Sequence, residues 1–437
     1  MKNMLKHKKP HPHGATWLRR VSFCRNLKFK PLGLATLLLF ISGSVQAESY
    51  TLQQLIDSGL QQNPSISIAR AQEDAALAAV TTAKAYINPE IEAGAGPTRY
   101  RSGTHDVRSN WGVGLAQPLE FGDVRTARRE LAESDVKVAG VGTELSKVDL
   151  RARIKIAFYN VLQREAVLKL VEGDRTLLLQ IRERVKLRVD VGESPRYELI
   201  KADTELLAAE RDYQSALVRI TEAKAYLRGL VGATISPDYQ LQGELPLSSN
   251  LPSLEVLRQQ IQDSPQLLQL RAATQSAEAR VRLEERLRTP GLTLKAGVDQ
   301  DPDLTSVRLG LAIPLPLWNK REGQIAEALA GVKEVNAVLS ERELALNRDL
   351  ESAYQRYLIA RQQLNSFENG LLSQSEAVLK TAEAAYRYGE RGILEYLDAQ
   401  RTYRIVRKDY FAARYDYVTA MLEIERVLGT EILEVKP

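Results

Sequence analysis

This chain has few residues with which to do chemistry. Of its 437 residues only four are histidine and one is cysteine. His7, His11, His13 and Cys24 all lie in the first 47 residues, which leaves His105 alone in the remainder. One imidazole and no thiol cannot build a nucleophile–base pair, a disulfide or a thiolate–imidazole metal centre. No glycine-rich phosphate loop is present either, so no catalytic residue, metal site or cofactor is expected. What remains is carboxylate chemistry. Glu395 and Asp398 stand three residues apart, a spacing that puts both on one face of a helix. Around a narrow mouth, such a pair favours cations and disfavours anions. On an open helix it is an ordinary solvated face.

The pair follows directly on two glycines. The run Tyr386-Arg-Tyr-Gly389-Glu-Arg391-Gly392 interrupts a long helical pattern. Glycine inside a helix costs about 1 kcal/mol relative to alanine, so Gly389 and Gly392 mark a turn. A second version lies earlier, Val191-Gly192-Glu193-Ser-Pro195-Arg-Tyr197-Glu198, in which Gly192 falls on Gly389 and Glu198 on Glu395 at one common offset. An offset of about 200 residues relates most of the chain, far longer than a solenoid unit. Leu52 through Asn63-Pro64 matches Leu254 through Ser264-Pro265, and Gly114-Leu-Ala-Gln-Pro118 matches Gly310-Leu-Ala-Ile-Pro314. The chain therefore reads as two copies of one module, residues 48–232 and 254–430, with a linker over 233–253 and a tail over 431–437.

Residues 1–47 hold nine of the 60 Lys and Arg residues and no Asp or Glu. A basic stretch, the apolar run Leu32 to Ile41 and the small-residue sequence Val45-Gln-Ala47 read as a secretory signal peptide, with the mature chain starting at Glu48. The alternative, a membrane anchor, needs roughly 20 apolar residues. Beyond residue 47 the balance is 51 basic to 55 acidic. The basic excess belongs to the leader, and no nucleic-acid partner is expected.

Each copy opens with helices, then changes period. Ile91, Ala93 and Ala95 alternate with Glu90, Glu92 and Gly94; Trp111, Val113 and Leu115 alternate with Asn110, Gly112 and Gly114. Strands are expected near residues 89–100, 106–119, 291–300 and 305–317. About ten residues each, apolar on one face and charged on the other, they fit transmembrane barrel strands. Two soluble hairpins on a core are the other reading. In the membrane reading Arg108, Lys295 and Arg308 face a lumen, and Val113, Leu294 and Leu311 face lipid. Long helices follow, over 123–190 and 319–388, the first roughly 100 Å at 1.5 Å per residue. Tips at 191–198 and 389–395 lead into helices over 195–229 and 395–428. Four strands cannot stand alone in lipid, because open edges leave backbone groups unsatisfied, so several chains must share one barrel.

This combination resembles the TolC-like outer-membrane efflux proteins, and within them the heavy-metal, CzcC-type branch. The likeness covers essentially residues 50–430. It rests on the duplication, the glycine-containing tips, Gln117-Pro118-Leu-Glu-Phe-Gly122 after the second strand and Ile313-Pro-Leu-Pro-Leu-Trp318-Asn-Lys-Arg-Glu-Gly323 after the fourth. It implies a mainly α fold with membrane β: a homotrimer sharing a twelve-stranded barrel that continues into a periplasmic helical barrel. It implies the exit duct of a tripartite pump for heavy-metal cations, with a periplasmic adaptor and an inner-membrane RND-type transporter as partners. A duct for drugs or secreted proteins, or a periplasmic coiled-coil adaptor, are the competing readings. By position, Glu395 and Asp398 resemble carboxylates that ring the entrance. Tyr386 and Arg391 match residues that lock it against the first tip, here Tyr197 and Glu198. Gly192, Gly389 and Gly392 match the adaptor-contacting turns. The TolC pattern has Asp where this chain has Glu198 and Glu395, and a small hydroxyl residue where it has Tyr197.

Overall fold

The computed structural model describes residues 48–99, 107–232, 235–246 and 251–432. The leader and the expected cleavage site lie outside these residues, as does His105. The first copy begins with strand β1 (Ser49–Thr51) and helix α1 (Leu52–Gln62). Thr51 starts α1 by a reciprocal cap: its hydroxyl accepts from the Gln54 N–H, and its own N–H donates to the Gln54 side chain at 2.9 Å. Asn63 ends α1 and caps α2 (Pro64–Lys84), its Oδ1 accepting from the Ser65 N–H at 2.8 Å. Proline is well placed at the first position of α2, where no N–H is needed.

After α2 come strands β2 (Glu90–Arg99) and β3 (Val107–Leu119), then α3 (Val124–Asp190) and α4 (Arg196–Val231). The linker carries β4 (Gln240–Gln242), which pairs in parallel with β1. The second copy repeats the plan. Helices α5 (Leu254–Gln260) and α6 (Pro265–Arg286) precede β5 (Leu292–Asp301) and β6 (Leu304–Ala312). Helices α7 (Glu322–Ser366), α8 (Leu372–Arg387) and α9 (Ile393–Leu428) complete it. No helix among the described residues is long and apolar enough to cross a membrane.

The two copies differ from their sequence patterns in two places. The second long helix is expected to run unbroken, but residues Phe367–Leu371 form a π-helical turn in which Gly370 leaves helical geometry. Asn369-Gly370 supplies two poor helix formers there. Strand β6 ends at Ala312 rather than near residue 317. Pro314 and Pro316 follow, and neither has an N–H to give to a ladder.

The four long strands form one antiparallel sheet in the order β2-β3-β5-β6, so β2 and β6 each have a hydrogen-bonded neighbour on one side only. Both turns from strand to long helix use a left-handed residue, Asp123 (φ 62°) and Arg321 (φ 61°). Arg128 braces the first of these turns. It holds Glu120 through two hydrogen bonds, at 2.7 and 3.0 Å, and donates to the Ala83 and Ala85 carbonyls.

Helix α3 is the spine of the first copy, with α2 packed along one part and α4 along another. Asn63 joins these two end to end, its Nδ2 donating to the Leu230 carbonyl at 2.7 Å. In the second copy α6 and α9 flank α7–α8 in the same way. At their junction Gly429 (φ +74°) lies so close to Pro265 that any side chain would overlap the ring. The main core gathers where both copies meet. Leu55, Ile66, Leu150, Ile154 and Leu227 of the first pack with Leu257, Leu267, Leu350, Tyr357 and Tyr417 of the second. A buried ion pair, Lys155 Nζ to Glu425 Oε2 at 3.0 Å, ties α3 to α9 beside it. A second apolar cluster lies near the tips, with Leu178, Ile181 and Val185 of α3, Ala202 of α4, and Ile393, Tyr396 and Leu397 of α9.

Candidate functional site

The two tips are one turn used twice. Helix α3 ends at Asp190 with Val191 as its C-cap, Gly192 takes φ +80°, and the Glu193 N–H donates back to the Arg188 carbonyl at 2.8 Å. Helix α8 ends at Arg387 with Tyr388 as its C-cap, Gly389 takes φ +76°, and the Glu390 N–H donates to the Ala385 carbonyl at 2.9 Å. This is a left-handed helix stop, and glycine occupies it without the steric cost of a Cβ. Gly392 is different. It is the N-cap of α9 in extended geometry (φ −74°, ψ 162°), and Pro195 holds the same position before α4 (φ −71°, ψ 146°). Neither cap residue offers a side-chain acceptor. Glu198 and Glu395, each at the third helical position, put negative charge near the positive helix end.

Glu395 and Asp398 both lie on the exposed face of α9, while Ile393, Tyr396, Leu397 and Ala399 turn inward. Their spacing thus puts both on one exposed helix face, as expected. Arg391 has a partner close by in its own tip. Within the subunit its guanidinium reaches Glu395 at 3.1 Å, four residues on, and not Glu198 of the first tip. Arg391 and Glu395 are therefore coupled, where the sequence reading treats them separately. Both side chains are largely exposed, so the pair contributes about 0.2–1 kcal/mol.

Tyr386 is held by its ring. It stacks on Tyr396 with centroids 5.8 Å apart and planes 9° from parallel. The Arg188 guanidinium of α3 sits 5.4 Å from the centroid of the same ring. Nothing in the sequence marks Arg188, and Tyr396 reads only as one rung of a tyrosine seam. The tyrosines of α9 recur every seven residues and signal a seam, but nothing local says which partner each one meets. Burial pushes the Tyr396 hydroxyl pKa up, with Glu383 adding to the effect. Tyr197 is 61% exposed on α4, and Glu198 beside it is half-buried.

The sheet has one apolar and one polar face, fixed by its register. Glu92 pairs with Gly114, Gly114 with Gly297 and Gly297 with Arg308, so these four share a face. Lys295, Asp299 and Arg108 lie on that same face, and charges there meet across it. Lys295 reaches Glu92 at 3.0 Å, Arg108 reaches Asp303 at 3.1 Å, and Arg308 bridges to Asp299. Lys295 and Glu92 belong to strands separated by β3, and β3 presents only Gly112, Gly114 and Ala116 between them. A Cβ at Gly112 would overlap the Asp299 carboxylate. The opposite face carries Ile91, Trp111, Val113, Leu115, Leu294, Val298, Val307, Leu309 and Leu311, all exposed in the single chain. An exposed apolar sheet face with two unpaired edges is suited to meet lipid and further strands.

A membrane sheet continued by helical hairpins with paired tips defines a channel subunit that reaches far beyond the bilayer. The sequence profile described as Outer membrane efflux protein matches residues 55–233 and again 256–430. The chain belongs to this family. It is an outer-membrane channel of efflux pumps, with its helical part in the periplasm. Among relatives, the cobalt-zinc-cadmium resistance protein CzcC of Cupriavidus metallidurans is 25% identical over 382 residues, covering 87% of this chain and 90% of that protein. The outer membrane protein TolC of Vibrio cholerae is 24% identical, covering 92% and 95%. Among solved structures, CusC superposes with a TM-score of 0.75 at 17% identity, covering 87% of this chain and 92% of that one. VceC of Vibrio cholerae gives 0.73 at 18% identity, covering 87% and 96%.

Proposed function

We propose that three copies of this chain close their sheets edge to edge into a twelve-stranded barrel and form the passive exit duct for heavy-metal cations. The observation that carries this reading is the sheet: four strands, two unpaired edges, and a predominantly apolar face opposite a charged one. Edge β6 of one copy meets edge β2 of the next, a head-to-tail contact that closes after a fixed number of subunits. Arg108, Lys295 and Arg308 then line a hydrated lumen, paired with Glu92, Asp299 and Asp303. Two relatives carry metal resistance in their names, for cobalt, zinc and cadmium and for nickel, cobalt and cadmium, which supports metal cations over drugs as cargo.

In this reading the tips gate the periplasmic mouth. Glu395 and Asp398, three copies of each, favour cations there. Closure is held where Arg391 leaves Glu395 for Glu198 of a neighbouring helix pair, with Tyr197 and Tyr386 packed beside it. Gly192, Gly389 and Gly392 set the turns on which a periplasmic adaptor docks, and the adaptor links the duct to an inner-membrane transporter of the RND type. A deletion strain should lose tolerance to cobalt, zinc or cadmium salts while keeping its tolerance to hydrophobic drugs, and the plasmid-borne gene should restore it. Drug sensitivity with unchanged metal tolerance would make it a drug duct instead.

A further inference from the structure

One group of buried charges serves neither the tips nor the sheet. Asp174 of α3 is only 6% exposed, and its Oδ2 accepts no hydrogen bond. It faces a cavity of about 340 Å3 walled by α3, α4 and α9, between the main core and the tip cluster. Glu205, Arg211 and Asp212 border the cavity from α4, and Arg401, Arg404 and Lys408 from α9. Arg404 donates through Nη2 to Glu205 at 3.3 Å, while its Nη1, also buried, donates to nothing. An unpartnered carboxylate oxygen and an unpartnered guanidinium nitrogen, both shielded from solvent, thus belong to side chains that border one cavity. A buried charge left so is costly, and a neutral carboxylic acid in the same place costs far less.

We propose that Asp174 is a proton-binding site that sets how tightly α9 packs against α3 and α4. Burial pushes its carboxyl pKa up, to about 6; Arg404 and Arg407 pull it back and Asp212 raises it again. The folded packing therefore holds a proton that a solvated aspartate, at about 3.8, would release. Its contribution is fully present below that lower value and is lost as pH rises through about 6. Once ionised, Asp174 must draw water into the cavity or draw Arg404 off Glu205, and either event loosens α9. The periplasmic helices thereby report the acidity around them.

Amide hydrogen exchange on the full-length channel in detergent micelles, from pH 5 to pH 8 and corrected for the intrinsic rate, tests this. Protection over residues 400–408 should fall as pH rises, with a midpoint near 6. Asp174→Asn should hold high protection across the whole range. Arg404→Gln removes a cation that favours the charged form, so its midpoint should move upward. A pH-dependent step that survives in Asp174→Asn, or an unmoved midpoint in Arg404→Gln, overturns the proposal. Should Asp174→Asn fail to assemble, the Arg404→Gln midpoint decides alone.

Discussion

The tips show how residue identity divides into roles that look alike in sequence. Three glycines mark the turns, but only two need to be glycine. Gly192 and Gly389 sit at positive φ, so Gly389→Ala should destabilise the tip by about 1 kcal/mol, read as faster local exchange at 385–391. Gly392 sits where Pro195 sits in the other copy, so Gly392→Pro should be neutral or stabilising by about 0.4–1 kcal/mol through the unfolded chain. If both substitutions loosen the tip equally, the repeat correspondence at that turn is misassigned. The carboxylates divide in the same way. Glu395 is bonded to Arg391 and stands near a helix start, which gives it a local reason to be acidic. Asp398 has no such reason, and its counterpart in the first copy is Lys201. In planar bilayers Asp398→Asn should therefore lower cation selectivity with little change in conductance. Glu395→Gln should alter both, because it also frees Arg391. Unchanged selectivity in Asp398→Asn would place that face on the outside of the mouth.

At the scale of elements, the strands were legible because a period of two assigns every residue to one of two faces. The glycines were legible only as small residues. Their use becomes clear with the register, which shows Lys295 reaching over Gly114 and Ala116 to Glu92. A period-two pattern says nothing about what crosses an intervening strand. The β1–β4 pair was half legible: Tyr239-Gln-Leu-Gln reads as a short strand, but a three-residue partner at Ser49–Thr51 carries too little pattern to be seen. The π turn at Phe367–Leu371 is not legible in the sequence for a related reason. The first copy has Gly173 at the equivalent place and keeps a continuous helix through it. The glycine permits the break, and the surrounding packing decides it. For the sheet, Leu311→Arg should cost about 2–4 kcal/mol of membrane stability if the residue lies near mid-bilayer. Urea titration in lipid vesicles measures this, and a water-accessible cysteine label at 311 with none at 308 would invert the faces.

For the whole molecule, the unpaired edges of β2 and β6 set the expectation for assembly. Unheated outer-membrane fractions should run at three times the subunit mass and fall to one on boiling, with an N-terminus at Glu48. A stable, inserted monomer would rule out edge-to-edge closure. The duplication made this architecture readable, since any fold had to satisfy two copies at once. It also conceals a difference between them. Helix α3 is one uninterrupted rod of 67 residues, while its counterpart is spliced from 45 and 16 residues across the turn at Gly370. A rod with a defect bends at the defect, because the regular i→i−4 ladder gives way there to a wider turn, with Leu372 N–H donating to the Phe367 carbonyl. Any push delivered along the axis from the tips is thus borne unequally. The first copy transmits it as a strut, and the second yields at one fixed height, so the subunit has a built-in direction of buckling that its near-symmetric sequence does not announce.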